Sequence, residues 1–146
     1  MPRRLAVLAL LVASTVAFPG CGGPGTADLF LVQRTGSIAG ARLTLRITDD
    51  GGAYCNGGGR KEISSEQLIA ARALRTDLNG RKDEDVGLAG KHLNLPPGRV
   101  STLSYRVRSE KGTATFSDTS PRQPGAFYRL AQLTRDIARG PCGLPR

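Results

Sequence analysis

Hydrophobic and polar positions recur with two periods along this chain, and the change of period marks its elements. Residues 28–33 (DLFLVQ) form a nearly continuous apolar run, which predicts a strand buried on both faces. Over residues 41–48, Leu43, Leu45 and Ile47 fall on one side, while Arg42, Thr44, Arg46 and Thr48 fall on the other. Strict period-two alternation predicts a half-buried strand. Asp49-Asp50-Gly51-Gly52 supplies a hairpin turn, because Asp and Gly tolerate the positive φ of tight turns. Residues 53–56 then return, carrying Cys55, and Gly57-Gly58-Gly59 ends the strand. The period now lengthens: Leu68, Ala71, Leu74 and Leu78 repeat at helical spacing. Ser64 with Gln67 three residues on has the form of a capping box, and Asn79-Gly80 is a C-terminal stop.

The second half repeats this plan. Leu103, Tyr105 and Val107 alternate with Thr102, Ser104, Arg106 and Arg108, sixty residues after their counterparts in the first hairpin. Glu110-Lys111-Gly112 turns the chain and residues 113–117 return. Pro124 stands where a first helical residue is expected, and Phe127, Leu130, Leu133 and Ile137 make the next apolar stripe before Gly140-Pro141 stops it. The reading is β + ββα + ββα: an α+β fold with an antiparallel sheet of four to five strands and two helices on one face. Leu43, Leu45, Ile47, Leu103, Tyr105 and Val107 are expected to face the helices. The link over 80–98 is long for a loop, with a short strand near Leu93–Leu95 as one option. The shared offset fits either a duplicated unit or the recurrence of a favoured motif.

The first residues follow different rules. Met1-Pro2-Arg3-Arg4 is a basic start, and residues 5–18 run without a charge. A spanning helix needs about 20 apolar residues, so this stretch fits a secretory signal core instead. Phe18-Pro19-Gly20-Cys21 ends it, and a small residue before a cysteine at that place resembles the lipobox of bacterial lipoprotein signals. The resemblance implies that Cys21 becomes the first mature residue and carries a lipid. Phe18 and Pro19 depart from the Leu and the small or aliphatic residue of that pattern, and ordinary cleavage after Ala17 is the alternative, giving a secreted product. The expected organisation is therefore a lipoprotein-type signal peptide over 1–20, a flexible tether over 21–26 and a single α+β domain over 27–146. Three cysteines are an odd number for an exported chain. If Cys21 takes the lipid, Cys55 and Cys142 remain as a pair in an oxidising compartment. A bond closing so long a loop contributes about 4 kcal/mol by chain entropy.

Composition narrows the chemistry. A chain of 146 residues with 5% aromatic residues is one domain's worth of sequence. The formal charge is +9, and removal of Arg3 and Arg4 with the signal leaves +7. His92 is the single histidine and lies in the link, with no GxSxG motif anywhere, so no catalytic residue is expected. Gly57-Gly58-Gly59-Arg60-Lys61 lacks the spacing of a phosphate-binding loop and reads as a connector. Asp49-Asp50 and Asp83-Glu84-Asp85 lack the alternating spacing of a calcium loop. No metal or cofactor is expected. The unusual surface is the polar side of the two hairpins, where Arg42, Arg46, Arg106 and Arg108 interleave with Thr44, Thr48, Thr102 and Ser104. Two readings stand for it. It is a solvated sheet face whose charges discourage strand addition, or its guanidinium forks and hydroxyls hold anionic groups of an envelope polymer or lipid headgroups. Nucleic acid is not an expected partner, because few aromatic residues are present to stack bases.

Several stretches, among them Arg34-Thr35-Gly36-Ser37, Cys55-Asn56-Gly57-Gly58, Phe116-Ser117-Asp118-Thr119-Ser120-Pro121 and Cys142-Gly143-Leu144-Pro145, are similar to a group of small exported proteins and lipoproteins of high-GC Gram-positive bacteria. That resemblance implies localisation and no catalytic activity. The general layout also resembles the subtilisin-inhibitor-like proteins, although those carry two disulfides and this chain has one candidate pair. The expected function is a non-enzymatic binding or accessory module, exported and held at the outer face of the cell membrane by a lipid. A secreted protease inhibitor is the alternative, and no protein partner is identified.

Overall fold

A computed structural model describes residues 27–82 and 85–145 of the chain; the stretches expected to be signal peptide (1–20) and tether (21–26), with Cys21, lie outside the described residues, as do Asp83 and Glu84. The elements run β1 (Asp28–Gly36), β2 (Leu43–Thr48), β3 (Gly52–Cys55), β4 (Arg60–Glu62), α1 (Ser65–Asn79), β5 (Leu103–Ser109), β6 (Gly112–Ser117) and α2 (Gly125–Arg139). The strands form one antiparallel sheet in the order β4-β3-β2-β1-β5-β6, so the fold is α+β.

The sheet has six strands rather than four or five. The extra one is β4, whose three residues Arg60, Lys61 and Glu62 are all exposed and pair antiparallel with β3. A strand without an apolar side leaves no periodic signal. Such a short, charged strand suits a sheet edge, where it discourages pairing with other chains.

The central strand also differs from expectation. β1 lies between β2 and β5, yet only one of its faces is covered: Phe30, Val32 and Arg34 are buried, while Gln33 and Thr35 are exposed. The apolar run arises because the register shifts between Asp28 and Phe30, which lets the adjacent Leu29 and Phe30 both bury. Gly36, at the end of β1, admits the chain close by: a Cβ there would lie 2.1 Å from the Thr102 carbonyl oxygen.

The inward rows of the strands share one core with the helices, including Val32, Leu45 and Val107 from the sheet, Leu74 and Leu78 from α1, and Leu130 and Ile137 from α2. Three aromatic rings stack through it. Tyr105 of β5 lies 4.9 Å from Phe116 of β6, which lies 4.4 Å from Phe127 of α2, all nearly parallel. The capping box of α1 forms as the sequence predicts, with the Gln67 N–H donating to Ser64 Oγ and the Ser64 N–H donating to Gln67 Oε1. Pro124 immediately precedes α2 instead of opening it, and no side chain caps that helix. Cys55 and Cys142 are joined as a disulfide with their Cα atoms 5.8 Å apart, tying β3 to the chain beyond α2.

The link after α1 docks on both sides. The Leu88 and Ala89 N–H groups donate to the Asp77 and Leu78 carbonyls at the end of α1. Further on, Thr115 of β6 exchanges backbone hydrogen bonds with Leu93 and Leu95 across a single parallel bridge at Asn94. The option of a short strand at Leu93–Leu95 is thus realised as one bridge, and it covers the free edge of β6. Among the described residues, no helix is long and apolar enough to cross a membrane.

Candidate functional site

The antiparallel register arranges the outer face of the sheet in rows. Arg46, Leu31 and Arg108 are partners across β2, β1 and β5. The next row is Thr44, Gln33, Arg106 and Thr115, and beyond it stand Thr35, Ser104 and Ser117. With strands about 4.8 Å apart, residues separated by one strand stand about 10 Å apart. Leu31 therefore stands between Arg46 and Arg108, while Gln33 separates Arg106 from Thr44.

These rows floor a groove of about 560 Å³. Its wall on one side is Arg42, from the turn that precedes β2, with Thr44 beside it. On the other side the docked link supplies Asn94, Leu95 and Pro97, and Asn94 is hydrogen-bonded to the Thr115 hydroxyl. Arg106, Ser104 and Thr115 complete the polar lining. A second hollow of about 290 Å³ adjoins it, lined by Leu31, Gln33, Arg106 and Arg108. Arg106 lines both.

The four arginines singled out from the sequence are thus divided by the structure. Arg42 and Arg106 share the groove, and Arg106 and Arg108 share the adjoining hollow. Arg42, Arg106 and Arg108 are exposed and have no carboxylate partner among the described residues. Arg46 is engaged elsewhere. It donates to Asp28 Oδ1 at 3.2 Å and its guanidinium lies 4.0 Å over the Tyr54 ring. The partner Asp28 is eighteen residues away and meets Arg46 only because β1 and β2 pair in this register.

One carboxylate anchors the floor from below the groove's end. Asp118 accepts hydrogen bonds from the Ser101 and Thr102 hydroxyls and from the Thr102 and Leu103 N–H groups. Partial burial works against its charge, but these donors outweigh burial and hold its pKa below the ordinary carboxylate value. Asp118 therefore fixes the start of β5 and with it the position of Ser104 and Arg106.

A fifth arginine escaped the sequence reading. Arg34 follows Phe30 and Val32 in the inward phase of β1 and is 6% exposed. Its Nε and Nη2 donate to the carbonyls of Ala41 and Gly40, at 2.9 and 2.8 Å, clamping the turn that leads to β2. Burial lowers its pKa, and nearby Arg135 and Arg139 push it the same way against the influence of Tyr105. Extending the period of two from Phe30 and Val32 by one step would have placed it inside.

The other candidate groups stay apart from the groove. His92 is exposed with φ of 50°. A Cβ on Gly57 or Gly59 would meet nothing within 4 Å, so that loop cradles no neighbouring group. Asp49 is paired with Arg72 of α1, and Asp50 accepts from the Thr48 hydroxyl within its own turn. Among the described residues no group of three or more potential metal-ligating side chains gathers.

Comparison with protein-family models, with curated proteins and with solved structures finds no match to this chain. The groove therefore rests on its own geometry: an open bed of mixed apolar and hydroxyl-bearing residues, with Arg42 on one side, the docked link on the other and Arg106 in the floor. Guanidiniums present planar forks that match carboxylate and phosphate oxygens.

Proposed function

We propose that this chain is a non-enzymatic, exported binding module, held at the membrane by a lipid on Cys21, whose open sheet face receives anionic groups of an envelope polymer or of lipid headgroups. The observation that carries the reading is the pairing of Arg42 and Arg106 with the Thr44, Ser104 and Thr115 hydroxyls around one groove. The two arginines provide the attraction, and the hydroxyls around them supply neutral hydrogen bonds. The anchor rests on the signal-like start and the lipobox-like Gly20-Cys21 of the sequence. A positive domain tethered close to an anionic surface gains from long-range attraction, which screening over about 10 Å at 0.1 M salt weakens.

The test uses full-length chain extracted from membranes, whose intact mass reads a diacylglyceryl group on Cys21. Binding is measured to polyglycerol phosphate and to phosphatidylglycerol vesicles, with phosphatidylcholine vesicles as reference. The double variant R42E/R106E should bind at least about tenfold more weakly than R81E/K82E, which makes the same charge change in the link; tenfold corresponds to the loss of roughly one charge-assisted contact. Equal losses from the two variants would mean that net charge alone acts, and would overturn the groove as a site.

A further inference from the structure

A further, smaller hollow lies away from the groove and its neighbour, where the turn before β2 meets the end of α2. It has a volume of about 40 Å³, room for a group of a few atoms and no more. Arg34, Arg135 and Arg139 line it together with backbone and apolar atoms of Gly40, Ala41 and Leu103. Among the described residues, no acidic side chain lines it.

That composition is costly without a ligand. Buried cations are normally paired, because moving a charge out of water is expensive. Arg34 is buried, yet its described partners are two backbone carbonyls, which use two of the five N–H donors of a guanidinium. Arg135 and Arg139 stand four residues apart on α2, a spacing at which like charges repel. The C-terminal end of a helix stabilises cations, which accounts for Arg139 and partly for Arg135. It does not account for a third, buried guanidinium in the same hollow. The Tyr105 hydroxyl, also buried, lies against Arg135; burial raises its pKa while Arg135 and Arg34 pull it back.

We infer that this hollow is a binding site for a single oxyanionic group, a phosphate or a carboxylate, held between Arg34, Arg135 and Arg139. Such a group accepts from the free edge of Arg34 and from the two helix arginines together, and it neutralises the mutual repulsion of all three. Arg34 borders both this hollow and the groove, but Arg135 and Arg139 line the hollow alone, so the two helix arginines set it apart. Ligation also stiffens the junction of the β1–β2 turn with α2, because Arg34 already clamps that turn.

The test is titration of the full chain with inorganic phosphate and, separately, with acetate, at constant ionic strength set by chloride. The readouts are the Arg34 Nε–H resonance and the melting temperature. At least one of the two anions should give a saturable shift, and the anion that does so identifies the group. In R135Q/R139Q, and more weakly in the single variant R139Q, affinity should fall by about tenfold, while R106Q/R108Q, at the groove and its neighbour, leaves it unchanged. These variants spare Arg34 and its clamp, so the fold is retained. Absence of saturation with both anions, or equal weakening by R106Q/R108Q, overturns the site.

Discussion

The two halves of this molecule share a hairpin-then-helix plan but hold their helices by different means. The first half closes with α1, which buries Ala71, Leu74, Leu78 and Asn79 and relies more on polar contacts; one of them, Asp77 to Arg129, joins it to α2 itself. Its N-terminus has the Ser64–Gln67 capping box, and exposed ion pairs join Arg72 to Asp49 and Arg75 to Glu110. The second half closes with α2, which has no side-chain cap but buries eight residues, twice as many over the same length. Phe127 of α2 also completes the ring stack through Phe116 to Tyr105. The difference teaches that equal helical length and a common plan do not imply equal anchoring. Capping and exposed pairs contribute about 1 kcal/mol or less each, whereas a buried aromatic side chain contributes several.

The largest break in this comparison is Phe127→Ala. It removes the end of the ring stack from a fully buried site and should cost about 4 kcal/mol, read from urea unfolding. A loss under about 1 kcal/mol would mean that α2 is not held by the stack.

A second contrast lies in the hairpins. Asp50 accepts from Thr48 and Gly52 within its own turn and pairs with Arg60 of β4 at 3.4 Å, whereas Asp118 reaches back to the start of β5, to Ser101, Thr102 and Leu103. Asp118→Asn should cost about 2 kcal/mol at neutral pH, the scale of hydrogen bonds to a charged group. The folded pKa of Asp118 lies below the unfolded one, so its contribution is complete above about pH 5 and disappears as pH falls through the folded value. The stability difference between variant and wild type should therefore shrink in acid. A gap that stays constant from pH 7 into strong acid would show that the charge is not what matters.

The smallest effect sharpens the contrast at the helix ends. Ser64→Ala should cost about 1 kcal/mol and loosen the first turn of α1, seen as faster amide exchange at Gln67. Pro124→Ala at the start of α2 removes no side-chain hydrogen bond and should leave exchange in α2 unchanged. If both substitutions loosen their helices equally, capping does not distinguish the halves.

Local periodicity made most of the elements legible. The alternating rows of β2 and β5, the stripe of α2 and the capping box of α1 depend on neighbours within a few residues, and each formed where its pattern stands. Cysteine parity pointed to Cys55 and Cys142, and their bond joins positions 87 residues apart. β4 escaped because it has no buried side chain to impose a period. The same limit applied to the groove. Alternation set Arg42, Arg46, Arg106 and Arg108 on the polar sides of their hairpins, but it carried no information on which of them are free.

By itself, then, the sequence determined which side of each hairpin is polar and where the helices lie, and it pointed to Cys55 and Cys142 as a pair. Those properties follow from steric and capping preferences that act over a turn or a strand. Only the tertiary structure decided that β1 separates the two hairpins, that Asp28 occupies Arg46, that the link walls the groove beside Thr115, and that Arg34 meets Arg135 and Arg139. Each of these depends on strand order and register between segments distant in the chain. A change of one residue in register would exchange the two faces of a strand, so the local pattern alone cannot state who stands opposite whom.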